Sequence, residues 1–88
     1  MDDWIDRLAE AFGEDPLTEE ETGRLLRASR DIAHRVERKT TPLAAFLLGS
    51  AVGRRMAGGA SRAEAVDDAL GSLETLLPPP SQEARFEG

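Results

Sequence analysis

Two short signatures constrain how this chain can fold more than any other feature. Thr18 with Glu21, and Ser61 with Glu64, each set a hydroxyl residue three positions ahead of a glutamate, just before an apolar periodic run. This spacing is the capping box: the hydroxyl accepts from an otherwise free amide in the first helical turn, and the glutamate reaches back to the cap's own amide. Helices that open at 18 and 61 leave room for one helix before the first and one between the two. The stops agree with this division, because Gly13, the pair Gly58 and Gly59, and the run Pro78, Pro79, Pro80 fall where apolar patterns end.

The apolar spacing fills in the rest. Trp4, Ile5, Leu8 and Phe12 predict a helix over 2–12, with Asp2 and Asp3 where the helix dipole favours acids. Leu25, Leu26, Ser29, Ile32, Ala33 and Val36 share one face of a helix over 19–38. Thr40 or Thr41 can cap a third helix over 42–57, with Pro42 in the first helical position, where a missing donor does no harm. Val66, Ala69, Leu70, Leu73, Leu76 and Leu77 give the apolar stripe of a fourth over 62–77. No alternating β-branched run occurs. The expectation is an all-α chain, a compact up-and-down four-helix bundle forming one domain over 1–77, followed by a flexible tail over 78–88 that opens with its prolines.

The third helix is the unusual one. Residues 40–53 are 14 consecutive uncharged positions, too few for a bilayer, which takes ~20 apolar residues. No membrane span is expected. A helix that is apolar nearly all round is predicted to be central, or shared with a partner. Ala45, Gly49, Gly53 and Ala57 recur every four residues and form a shallow ridge of small side chains. That ridge predicts close packing against helix two or four, with a homodimer seam as the alternative; Gly49→Leu is expected to disrupt whichever applies.

Charge is segregated. Residues 1–21 hold nine acids and one base, residues 22–62 nine bases and two acids, and residues 63–88 six acids and one base, within a net charge of −6. Either the acidic flanks neutralise the basic middle, or that middle faces a partner. Glu20 with Arg24, and Asp31 with Arg27 and Arg35, stand four apart and can pair along the helix. Arg38 and Lys39 suit the C-terminal end of helix two. The functional alternative is a corner made by His34, Arg35, Arg38, Lys39, Thr40 and Thr41, where the start of helix three offers donors to an anion or to an acidic partner segment. Nucleic acid is not expected as a partner, given the acidic total and the lack of a recognisable reading module.

Chemistry-bearing groups are sparse. Cysteine and tyrosine are absent, and His34 is the single histidine, about 180° around the helix from Leu25 and therefore on the solvent face. Asp67 and Asp68 are adjacent and diverge. No metal, nucleotide-loop or nucleophile motif appears, so neither catalysis nor a cofactor is expected. The acidic start has the wrong sign for a secretion signal, and the expected location is cytoplasmic.

The stretches MDDWIDRLAEAFG, LTEEETGRLLRASRDIAHRVERKTTPLAAFLLG and ALGSLETLLP resemble an actinobacterial family of small helical proteins classed as a domain of unknown function, with the strongest likeness from Arg30 to Gly49. Members of that family occur alone, or joined to or encoded beside molybdenum-cofactor guanylyltransferases. The resemblance implies an accessory role near molybdopterin guanine dinucleotide synthesis or delivery. It implies no catalysis, because the chain has neither a nucleotidyltransferase portion nor its Gly-rich nucleotide loop. The sequence thus points to a helical module that binds a protein, either such a nucleotidyltransferase or a second copy of itself. The alternatives are an anion-binding corner and a purely structural homodimer.

Overall fold

The computed structural model describes residues 2–80, and contains four α-helices and no strand among them. They are α1 (Asp2–Ala11), α2 (Glu19–Arg35), α3 (Thr41–Ala57) and α4 (Arg62–Leu76), with one 3₁₀ turn (Arg38–Thr40) leading into α3. The fold is an all-α four-helix bundle, as the punctuation implies. The expected tail lies largely in residues 81–88, outside the described residues.

Both capping boxes form. Thr18 accepts from the Glu21 amide at 3.0 Å, and Glu21 accepts from the Thr18 amide at 2.9 Å; Ser61 and Glu64 make the same exchange at 3.1 Å in each direction. Two glycines supply the turns that close helices. Gly13 has φ +71° after α1 and Gly59 φ +114° after α3. At each, the residue after the glycine donates back five positions, Glu14 to Ala9 at 2.8 Å and Ala60 to Arg55 at 3.1 Å. This is the Schellman closure, which a left-handed glycine allows.

Helix two ends earlier than its apolar pattern. Its last residue is Arg35, and the amides of Val36 and Glu37 both turn back to the Ile32 carbonyl. The chain re-enters helix through the 3₁₀ turn, where Thr40 donates its amide to Glu37. Thr40 makes no side-chain cap, because it is itself in helical conformation. Turn and helix are continuous, so the expected cap has no free amide to meet there.

The core differs from expectation in its centre. The buried apolar residues are Ile32 of α2 and Ala65, Val66, Ala69 and Leu70 of α4, and α3 has none. Helix four is therefore the central helix. Ala65 and Ala69 are small and buried, and α4 packs most extensively against α3. Helix three, expected to be central or shared with a partner, is not central: it leaves Leu43, Phe46 and Leu47 open to solvent. Leu26, Val36 and Leu76 are also exposed, as are Trp4 of α1 and Phe12 just after it.

The helices are tied by two long-range ion pairs. Arg62 at the start of α4 donates to Glu21 at 3.1 Å and to the carbonyls of Asp15 and Pro16 at 2.8 and 3.3 Å, which pins the loop between α1 and α2. Arg24 donates to Asp67 at 3.2 Å, joining α2 to α4. The pairs expected along α2 are not among the ion pairs of the described residues; Arg24 reaches across to α4 instead of to Glu20. Exposed pairs spaced by four are worth only a few tenths of a kcal/mol, too little to hold two long side chains in place.

Candidate functional site

Two surface features carry the residues singled out by the sequence, and a third carries residues that it did not single out. The first is an open apolar groove of about 490 Å³ lined by residues of all four helices, with Leu8, Phe12, Leu25, Leu48, Val52 and Met56 among its walls. Ile5, Leu8 and Ala9 of α1 form one wall, and because α1 makes little close backbone contact with the other helices the space between them stays open. Ala45, Gly49 and Gly53 lie along the same groove. A Cβ added at Gly49 or Gly53 would meet nothing within 4 Å. The ridge therefore makes no close backbone approach inside the chain, contrary to the packing expected of it. All four ridge residues, Ala57 included, are exposed.

The second feature is the corner from His34 to Thr41. The structure does bring the α2 end, the 3₁₀ turn and the α3 start together, with His34, Arg38 and Lys39 exposed and Arg35, Thr40 and Thr41 half-buried. A carboxylate of the chain's own stands there. Glu37 accepts from the Thr40 hydroxyl at 3.4 Å and lies 3.7 Å from the Lys39 ammonium. The local positive charge is thus partly neutralised from within. The Thr41 hydroxyl is enclosed and has no hydrogen-bond partner.

The third feature was not singled out by the sequence. Leu43, Phe46 and Leu47 are 66%, 74% and 66% exposed and share the outward side of α3. On a helical wheel at ~100° per residue they form one stripe with Ser50 and Arg54, and Arg38 and Lys39 stand exposed in the 3₁₀ turn that leads into this helix. Cations therefore stand at both ends of an apolar patch. The signal was present in the chain, since no acid occurs between Glu37 and Glu64; what periodicity alone could not tell was which side of an all-apolar helix faces the core.

Nothing in this geometry assembles reactive groups. Among the described residues no three His, Cys, Asp or Glu side chains gather to hold a metal ion. No helix of the described residues is long and apolar enough to cross a membrane. A smaller cleft of about 320 Å³ between α2 and α4 is lined by Arg24, Arg27, Asp31, Leu70 and Leu73 among others, and mixes charged with apolar walls.

These features define a small all-α domain whose distinguishing property is uncovered apolar surface on its third helix. The chain belongs to the family described as "Domain of unknown function (DUF6457)", which matches residues 1–85. No curated protein and no solved structure matches it.

Proposed function

We propose that this chain is a non-enzymatic accessory module that acts in the cytoplasm by binding a protein partner, and that the partner is a nucleotidyltransferase of molybdenum-cofactor maturation. The observation that carries the binding role is the exposed stripe of Leu43, Phe46 and Leu47. Single exposed apolar residues are ordinary on a monomer, but large ones grouped on one helix face mark a surface built to be covered. The pathway rests on the resemblance to the actinobacterial family and its association with guanylyltransferases. Co-expression of the chain with a molybdenum-cofactor guanylyltransferase from an actinobacterium, followed by affinity capture, tests both parts. Stoichiometric co-purification supports the reading; an enzyme that passes through, while the chain remains folded, counts against the pathway.

A second reading draws on the enclosed Thr41 hydroxyl. In it the corner of Arg35, Arg38, Lys39, Thr40 and Thr41 holds an anionic group such as a nucleotide phosphate, with the start of α3 supplying the positive dipole end. Glu37 opposes it, because an arriving anion must displace or tolerate that carboxylate. Titration with GTP and with inorganic phosphate, read at the amides of Arg38 and Thr41, separates the two readings. The structural homodimer is tested by solution mass across a concentration series.

A further inference from the structure

We infer that the outward stripe of α3 docks an acidic amphipathic helix of a second protein, a surface assignment that rests on the reading of the chain as a protein-binding module. The stripe has an apolar centre, Leu43, Phe46 and Leu47, and cationic ends. Arg54 at one end and Arg38 beside Lys39 at the other have no ion pair among the described residues. From Lys39 to Arg54 the chain advances 15 positions, ~23 Å at the helical rise and about four turns. A partner that covers this face must offer apolar side chains at its middle and carboxylates roughly that far apart, the pattern of an amphipathic helix read at positions three and four apart.

The chain's net charge of −6 does not oppose such a partner at contact. Its acids are concentrated in residues 1–21 and 63–88, and beyond a Debye length of about 8 Å at physiological ionic strength their field is largely screened. The charges that decide docking are the local ones, where Arg38, Lys39 and Arg54 outnumber the single carboxylate of Glu37.

Two other occupants fit less well. A second copy of the same stripe, laid parallel or antiparallel, sets cations against cations at its ends. A lipid surface meets only three large apolar side chains here, Leu43, Phe46 and Leu47, where an interfacial helix buries a whole apolar face.

The full-length chain, isotope-labelled, is titrated with a designed helical peptide carrying a leucine stripe and glutamates at both ends, and with the same peptide carrying lysines in their place. The expected result is amide shifts centred on Leu43, Phe46, Leu47 and Ser50, and binding of the lysine peptide weaker by about 10-fold, the product of two or three exposed charge contacts. Arg54→Glu should narrow or reverse that preference, and Phe46→Asp should abolish binding without moving the melting temperature. Equal binding of the two peptides, or shifts confined to the groove lined by α1, overturns the inference. So does binding to phosphatidylglycerol vesicles in place of the peptide, or a dimer that Phe46→Asp dissolves. If the peptide binds as expected and no nucleotidyltransferase is captured, the pathway fails and this surface stands; if the Phe46→Asp variant captures the transferase as well as the unaltered chain does, the surface fails and the partner stands.

Discussion

Arg62 and Glu21, 41 residues apart, meet at 3.1 Å with side chains only 18% and 14% exposed, and the Glu21 oxygen that accepts from Arg62 also accepts from the Thr18 amide. One carboxylate thus caps α2 and anchors α4. The local signal that starts a helix is also the point where the tertiary structure is fastened, and Arg62 extends the tie to the loop carbonyls of Asp15 and Pro16.

Removing this arginine should cost more than a surface ion pair. Arg62→Ala is expected to destabilise by about 2 kcal/mol, below the 3–5 kcal/mol of a fully buried pair because both groups keep some solvent contact. Glu21→Gln keeps a capping side chain and loses the charge, so it should cost about 1 kcal/mol. Chemical denaturation of the single and double variants would give the coupling; additive losses would show that the two groups act independently.

The two kinds of glycine should respond in opposite directions. Gly49→Ala, in a helix and with open space where the Cβ goes, should stabilise by about 0.5–1 kcal/mol. Gly59→Ala, at φ +114°, should destabilise by about 1 kcal/mol or more. Thermal melts of both variants check the pair. A destabilised Gly49→Ala would return the ridge to a close-packed role.

Thr41 offers a similar test of the corner. Its hydroxyl is enclosed and unpartnered, so Thr41→Val, which keeps the shape, should stabilise by about 1 kcal/mol if the hydroxyl has no ligand to meet. The same variant would lose phosphate binding if the corner is an anion site. Melting temperature and phosphate titration on one protein sample therefore read both roles.

Much of the fold was legible in the sequence because its determinants are local. Thr18 with Glu21, Ser61 with Glu64, Gly13, Gly59 and Pro78 act within a few residues of themselves, and each is where the pattern places it. The early end of α2 was not legible, because the apolar spacing continues to Val36 while the helix ends at Arg35 and the amide of Glu37 already closes back on the Ile32 carbonyl. The interhelical ties were hidden for the opposite reason. Arg24 had a local partner in Glu20, and only the assembled bundle offers Asp67. Helix three carried too much apolar surface for its pattern to select a buried side, so the exposure of Phe46 and the central role of α4 emerged only from packing.

The central claim is that the outward side of α3 exists to be covered by a protein partner. Calorimetry of the molybdenum-cofactor guanylyltransferase with the unaltered chain and with Phe46→Asp measures it most directly, beside thermal melts of both. The account predicts unchanged melting, since Phe46 is 74% exposed, and an affinity loss of at least about 10-fold, the size expected for an aromatic anchor at an interface. Equal affinity of the two proteins for the enzyme would contradict it.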